Sequence, residues 1–270
     1  MKYDITSSIV TCNTDHNILQ KAIDSFLNTR MEVRLIVVDN SPDDDTRQIC
    51  SDHKIEYVFN NANIGYGAGH NIAIRMILEQ SKYHLVINPD IYFPGGNLEK
   101  LYDFMENNKD VGLVMPKILY PDGSLQYLCK KLPTPLDLIC RRFIPPSLKP
   151  LFRKRLDSYE FRDMDYDRIM PVPSLSGCFM FMRTDIFQRI GMFDERFFMY
   201  AEDLDLCRRI GRKYKTIYYP EAVVYHEYAK GSYKSNKQLM FHINSAIKYF
   251  NKWGWFFDEE RKKINDRKLF

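Results

Sequence analysis

Several short polar clusters in this chain hold residues able to do chemistry, and most of them follow apolar runs. Asn88-Pro89-Asp90 comes directly after His84-Leu85-Val86-Ile87. A carboxylate just past a buried strand can hold Mg2+ or Mn2+ against a diphosphate, because such cations take oxygen ligands and share them with substrate phosphates. The same residues also suit an ordinary strand-ending turn. Asp39 ends the run Arg34-Leu35-Ile36-Val37-Val38. There it can accept a hydrogen bond from a ring N–H of uracil, thymine or guanine, or bond its own turn backbone. Glu202-Asp203-Leu204-Asp205 opens a predicted helix right after Phe197-Phe198-Met199-Tyr200. Acids in a first helical turn stabilise the helix dipole by about 0.3–1 kcal/mol, which accounts for one of them. An acid set against an apolar wall is also a candidate general base. Asp203 and Asp205 are two apart and point in different directions, and Asp205 is expected to pair with Arg208 or Arg209 on the surface. His226, after Ala222-Val223-Val224-Tyr225, can complete a metal site or serve structurally. Gly65-Tyr66-Gly67-Ala68-Gly69-His70-Asn71 reads as a glycine-rich loop whose backbone can approach a ligand closely. It matches neither G-x-G-x-x-G nor a Walker sequence.

These clusters need elements to hold them. Ser7–Thr11, Arg34–Val38, Ile55–Phe59 and His84–Ile87 read as buried strands. Helices are expected at Leu19–Leu27, Asp44 to about His53, and Ile72–Gln80. Repeated strand–helix–strand units argue for a mostly parallel sheet covered by helices. In such sheets ligands bind at the carboxyl ends of the strands, which is where the polar clusters lie. Residues 129–173 differ. They are proline-broken and basic, and within 130–155 Lys130, Lys131, Arg141, Arg142, Lys149, Arg153, Lys154 and Arg155 are opposed only by Asp137. This stretch reads as a partly helical insertion. A strand over Ser176–Met182, a helix near Thr184–Ile190 with Thr184 as N-cap, a helix from Glu202 to about Lys213 and a strand over Thr216–Tyr225 complete the core. From Lys237 onward the chain reads as helical, aromatic and basic.

Composition sets the class. The 270 residues are 45% hydrophobic and 27% charged, ordinary for a globular protein. A net charge of +4 is too mild for a nucleic-acid binder. The six cysteines form no CxxC pair and no zinc spacing, which fits buried reduced thiols and a cytoplasmic location. Met1-Lys2-Tyr3-Asp4 leads at once into a strand, so no signal peptide is expected. No apolar run approaches the roughly 18 residues that suggest a membrane span.

Taken in order, five landmarks resemble glycosyltransferase family 2, and in particular its bacterial rhamnosyltransferase-like members. They are Val10-Thr11-Cys12-Asn13, Val37-Val38-Asp39-Asn40-Ser41, Asn63-Ile64-Gly65 through Asn71, Leu85 through Asp90, and Phe193-Asp194-Glu195 through Cys207. The resemblance runs from Ser8 to about Ser232. It implies a GT-A fold, an inverting mechanism and a nucleoside-diphosphate sugar donor. Thr11, Asn13 and Asp39 would line the nucleoside pocket, with Asn63, Gly65, Asn71 and Asn88 along the donor. Asp90 would match the last acid of the family's Asp-x-Asp metal motif, whose first acid is Asn88 here. His226 would add a ligand to Mg2+ or Mn2+. Asp203 would be the base, and Gly177 and Glu202 would face the acceptor. The implied organisation is a catalytic domain over 1–235 and a helical extension over 236–270. The domain divides into a nucleotide-sugar half (1–128), the insertion (129–173) and an acceptor half (174–235).

The resemblance leans toward dTDP-rhamnose, with UDP-sugars next. The acceptor would be a hydroxyl of a bacterial surface polysaccharide or a lipid-linked glycan precursor. The basic insertion and the aromatics Phe241, Tyr249, Phe250, Trp253, Trp255, Phe256 and Phe257 suit a peripheral contact with the inner face of the plasma membrane. They equally suit packing on the catalytic domain or a homodimer contact. A Rossmann-type dehydrogenase or epimerase predicts glycines directly after the first strand, and Thr11-Cys12-Asn13-Thr14-Asp15 has none. A non-catalytic nucleotide-sugar or glycan-binding protein of the same fold is the remaining alternative.

Overall fold

The computed structural model describes residues 1–53, 55–227 and 236–266. The end of the expected resemblance, near Ser232, lies outside the described residues. Strands β1 (Tyr3–Thr11), β2 (Val33–Asp39), β3 (Glu56–Phe59) and β4 (Ser81–Ile87) form the parallel half of one large sheet. Strands β5 (Ile91–Tyr92), β6 (Val111–Leu119), β7 (Met170–Pro171), β8 (Phe179–Arg183) and β9 (Lys215–His226) extend it. The order is β3-β2-β1-β4-β8-β6-β9-β5, with β7 paired to β9. Strand β8 runs antiparallel to both β4 and β6, and β6 and β9 are again parallel. The sheet is therefore mixed, and its parallel character is concentrated in the N-terminal half.

Helices α2 (Arg47–Asp52) and α3 (Tyr66–Ile77) pack on this half, whereas α1 (His16–Leu27) reaches β5 and α4 (Asn97–Asn107) packs on β6 and β9. Helix α1 buries Leu19, Ala22, Ile23 and Phe26, the stripe that a 3.6-residue period places on one face. The side chain of Asp15 caps it by accepting from the backbone N–H groups of Asn17 and Ile18. The buried hydroxyls of Thr6, Ser7 and Ser8 in β1 have partners. Ser8 Oγ bonds His70 Nδ1 at 2.7 Å and His84 Nε2 at 3.0 Å. Burial holds both imidazoles below their usual pKa, and hence neutral.

Three local expectations are corrected. The glycine-rich segment is not a loop: Gly65 is the N-cap of α3, and Gly67 to Asn71 lie in its first turns. A Cβ on Gly69 would come within 2.9 Å of the Val10 side chain, so this glycine serves close packing of helix on strand. Thr184 does not cap α7 (Ile186–Ile190). Asp185 holds that position without a side-chain bond, and Thr184 Oγ1 turns to Ser81 Oγ at 3.4 Å. Cys12 is exposed, whereas the other five cysteines are buried free thiols.

The 129–173 segment folds into α5 (Pro135–Phe143), a 3-10 turn (Pro146–Leu148) and α6 (Lys149–Tyr159). A capping box between Thr134 and Asp137, with Pro135 in the first turn, starts α5. Much of the positive charge is paired: Arg155 with Asp137 at 2.7 Å, Arg141 with Glu160 at 3.2 Å and Arg153 with Asp157 at 3.5 Å. After β8 come α8 (Glu202–Ile210), α9 (Asn236–Trp253) and α10 (Glu259–Asn265). The C-terminal aromatics split in two. Tyr249 and Phe250 are buried with Phe197, and Phe241 packs against Phe198, whereas Phe256 and Phe257 are 74% and 98% exposed. Among the described residues no helix is long and apolar enough to cross a membrane.

Candidate active site

One cleft of about 1490 Å³ opens beside the carboxyl ends of β1 and β4. Pockets for single small molecules are typically about 300–1,000 Å³, so there is room for two substrates. Asn88, Asp90, Gly177, Glu202, Asp203 and His226 all line it.

On one wall, β4 delivers Asn88 and Asp90, and the last residue of β9 delivers His226. Antiparallel pairing sets Ile91 opposite His226, which brings the neighbouring Asp90 up to the imidazole. Asp90 Oδ1 lies 3.2 Å from His226 Nε2. Gln126 fixes the ring: its Oε1 is 3.0 Å from Nδ1, and its amide donates to the His226 carbonyl at 2.9 Å. Burial works against the imidazolium, but Cys178 and the Asp90 carboxylate beside it outweigh burial and raise the pKa to about 10. The Asp90 carboxylate oxygen and, once the ring gives up its imidazolium proton, the His226 imidazole nitrogen face each other shielded from bulk water, and they fit a divalent cation that takes its other ligands from a diphosphate and water. Among the described residues no group of three or more His, Cys, Asp or Glu side chains is placed to hold a metal ion, so the protein's share of such a site is these two residues.

On the opposite wall, two consecutive residues, Tyr200 (φ 69°) and Ala201 (φ 65°), adopt the left-handed conformation at the entry to α8. For L-residues this conformation costs roughly 1–2 kcal/mol each. Such strain persists where the surroundings over-determine it; here it turns the chain so that α8 begins at the cleft. Asp203 Oδ2 accepts from Gly177 N–H and Oδ1 from Leu204 N–H, both at 2.8 Å. A Cβ on Gly177 would sit 3.1 Å from the Asp203 Cβ, so a larger residue there would press on Asp203. Tyr66 Oη donates to the Gly177 carbonyl at 2.6 Å, tying α3 to this wall. Glu202 is buried, and its Oε2 has no hydrogen-bond partner among the described residues. Burial, and then repulsion from Asp203, raise its pKa to about 8. The acid set against an apolar wall is thus Glu202, while Asp203 is held by backbone donors at the cleft.

Asp205 corrects a third reading of this helix. It is fully buried, not on the surface: Arg209 Nε donates to it at 2.8 Å, Trp253 Nε1 at 2.8 Å, and Lys252 Nζ lies at 2.5 Å. Arg208 is buried too and bridges Asp258 at 2.6 Å and Glu260 at 2.8 Å. Together these pairs clamp α9 and α10 onto α8.

The remaining candidates lie at the ends of β1 and β2 and the start of α3, outside this lining. Thr11 and Asp39 are register partners. Asp39 is fully buried and accepts from Ser41 N–H at 2.9 Å and from Tyr57 Oη at 2.8 Å. Thr11 Oγ1 is buried without a hydrogen-bond partner among the described residues. Asn13 has φ 52° and is held by Ser41 Oγ at 2.9 Å. Asn63 accepts from Gly65 N–H at 3.0 Å, and Gly65, at φ 97°, abuts the Phe198 carbonyl. Asn71 is turned away from any ligand. Its amide donates to the Phe193 carbonyl and to Glu195, both at 2.9 Å, and its oxygen accepts from Phe193 N–H at 3.0 Å. It positions the segment leading to α8 and does not line the cleft.

Some residues at the site left no signal in sequence. Gln126 sits in an unpatterned stretch, and Tyr66 looked like part of a glycine-rich loop. Lys130 was visible only as one member of a basic run.

The mixed sheet, its covering helices and the cleft beside the strand ends are those of a GT-A architecture. The backbone superposes on a crystal structure of GalNAc-T7 with UDP, GalNAc and Mn2+ with a TM-score of 0.63 at 12% identity, over 84% of this chain and 43% of that one. A family model described as glycosyl transferase family 2 matches residues 8–191, and the chain belongs to that family. It is 29% identical over 216 residues to an N-acetylglucosaminyl-diphospho-decaprenol L-rhamnosyltransferase of Mycobacterium tuberculosis, covering 75% of this chain and 69% of the relative. It is also 24% identical over 250 residues to the rhamnosyltransferase WbbL of Escherichia coli K12, covering 89% and 90%.

Proposed function

We propose that this glycosyltransferase moves rhamnose from dTDP-rhamnose onto a hydroxyl of a lipid-linked glycan precursor, with inversion at the anomeric carbon. The observation that carries the reading is the pairing of two walls across one cleft: Asp90 with His226 on one, backbone-held Asp203 on the other. The names of the relatives support the sugar and the acceptor class.

The sugar ring would lie between the walls. The acceptor oxygen attacks the anomeric carbon as the bond to the diphosphate oxygen breaks, and the acceptor proton passes to Asp203. A positioned base of this kind contributes roughly 10²–10⁴-fold. Asp90 and His226 would hold Mg2+ or Mn2+, which, when bound, neutralises charge on the leaving diphosphate. A carboxylate has about four acceptor sites, and two on Asp39 are taken by Ser41 and Tyr57. The remainder suit a thymine or uracil ring N–H. Residues 1–128 would serve the donor and 174–235 the acceptor, with α9 and α10 of the 236–270 extension bracing α8.

A membrane contact fits the α5–α6 hairpin. It exposes Leu136, Ile139, Leu148 and Leu151 (78% exposed for Leu151), and the side chain of Arg153, at the rim of the cleft, is 82% exposed. Phe256 and Phe257 add exposed aromatic surface. Apolar side chains with basic neighbours suit an anionic bilayer, where each basic residue adds about 1 kcal/mol.

The deciding experiment is calorimetric titration of dTDP, UDP, GDP and CDP with and without Mn2+. Metal-enhanced binding of dTDP or UDP, lost in Asp90→Ala, is expected. Binding of none of the four would sink the donor assignment and favour a glycan-binding role.

A further inference from the structure

The wall of the cleft formed by the 129–173 segment is more cationic than the donor chemistry needs. Lys130, Arg141, Arg153 and Arg162 line it, against Asp157 and Glu160. The two acids are shared among the three arginines: Arg141 and Arg162 lie 3.2 and 2.8 Å from Glu160, and Arg153 and Arg162 lie 3.5 and 3.7 Å from Asp157. Among the described residues no ion pair or side-chain hydrogen bond takes up the Lys130 ammonium. Its backbone is held firmly by paired hydrogen bonds with Ser174, at 2.9 and 3.0 Å. The side chain is within electrostatic reach of Arg141, Glu160 and Asp203. Burial and the nearby Arg141 guanidinium lower its pKa to about 8, so it meets an anion as a poorly solvated cation.

A smaller recess of about 160 Å³ adjoins the cleft at this point. Lys130, Arg141, Ser174 and Asp203 line it, and none of Asn88, Asp90 or His226 does. It opens beside the base and away from the residues suited to the donor's diphosphate. Glu202 also lines the recess but is held protonated by burial, so the two cations there face one carboxylate, Asp203, and the balance suits an acceptor that carries its own negative charge near the reacting hydroxyl.

We propose that Lys130 and Arg141 form a second anion site, which binds the phosphate or diphosphate joining the acceptor's first sugar to its lipid. This rests on the reading of Asp203 as the acceptor-side base. Charge-assisted contacts from lysine and arginine to phosphate oxygens are short and strong, and the poorly hydrated setting strengthens them. The site selects acceptors by their linkage, independently of donor binding.

Two measurements test it. The first is titration of inorganic pyrophosphate into the metal-free protein. Wild type and Asp90→Ala should bind it alike, whereas Lys130→Met and Arg141→Gln should each bind about 10- to 100-fold more weakly, and Lys130→Arg should recover most of the loss. Binding that survives in both neutral variants, or that disappears in Asp90→Ala, overturns the proposal, because the anion would then sit elsewhere. If one neutral variant does not fold, as judged by its thermal melt, the other carries the test. The second compares transfer to N-acetylglucosamine on a short prenyl diphosphate with transfer to the same sugar on a neutral prenyl ether. The ratio of kcat/KM for the charged over the neutral acceptor should fall 10- to 100-fold in Lys130→Met, with the donor KM unchanged. An unchanged ratio, or a raised donor KM, overturns the proposal. Failure of wild type to transfer to either acceptor while pyrophosphate still binds at Lys130 would count against the enzymatic reading, not against the anion site.

Discussion

Replacing Asp203 by Asn tests the chemistry directly, and the structure sets two separate magnitudes. The first concerns the reaction. An amide cannot take the acceptor's proton, so turnover should fall by roughly 10²–10⁴, or about 2.7–5.4 kcal/mol of barrier at about 1.36 kcal/mol per decade. The second concerns the fold. Each carboxylate oxygen accepts a backbone N–H, one from Gly177 and one from Leu204. Asn offers only one acceptor, so its NH2 must face one of those donors. Leaving a buried donor unmatched costs about 1–3 kcal/mol. Asp203→Asn should therefore melt earlier as well as turn over slowly. Asp203 lies across the cleft from Asp90 and His226, so nucleotide affinity should stay within about twofold, under 0.5 kcal/mol. The assay is transfer at saturating donor and acceptor, with calorimetry for dTDP and urea unfolding on the same samples. Full turnover in a folded variant would refute the base assignment. Lost nucleotide affinity would refute the separation of the two walls.

The buried Glu202 makes stability pH-dependent in an unusual direction. Its ordinary pKa of 4.5 is raised to about 8 in the fold, so between these values the folded chain binds a proton that the unfolded chain has released. The contribution of this group is present below pH 4.5 and is lost as pH rises toward 8, with a slope of at most about 1.36 kcal/mol per unit. Glu202→Gln should flatten that part of the urea-midpoint profile, and an unchanged profile would show that Glu202 is ionised in the fold. Arg208→Ala should cost about 3–5 kcal/mol, because it strands the buried Asp258 carboxylate. A loss below about 1 kcal/mol in urea unfolding would mean that Tyr249 and Phe250 packing alone holds α9. Leu136→Asp with Leu151→Asp should weaken sedimentation with anionic vesicles about tenfold or more, since burying one leucine is worth about 1.5–3 kcal/mol. Wild-type protein that stays in the supernatant at low salt would remove the membrane contact.

Legibility followed the range of the interactions. Strands β1, β2, β3 and β4 are runs of apolar and β-branched residues ending in turn signals, and the structure places each within a few residues of where its pattern ends. The glycine-rich segment was misread because its glycines serve close helix-on-strand packing against Val10. That contact is made by a strand more than fifty residues earlier, and no local pattern carries it. Asp205 was read as a surface acid because its spacing to Arg209 suits a helix face. Its burial is set by Trp253 and Lys252, which arrive from α9.

The sequence by itself determined the alternation of strands and helices, the placement of Asp39 and Asp90 at strand ends, and the acidic start of α8. Those depend on periodicity, turn chemistry and helix-start preferences, all of which act within a few residues. Only the tertiary structure decided which of these residues meet. Antiparallel pairing of β5 with β9 brings Asp90 to His226, and two left-handed residues turn α8 so that Asp203 rests on Gly177. The fold of residues 129–173 leaves Lys130 facing the cleft while its arginine neighbours are partly neutralised. Burial, charge pairing and strand register arise from contacts between segments far apart in the chain, and those contacts separate an acid at the cleft, Asp203, from a buried structural one, Asp205, two residues away.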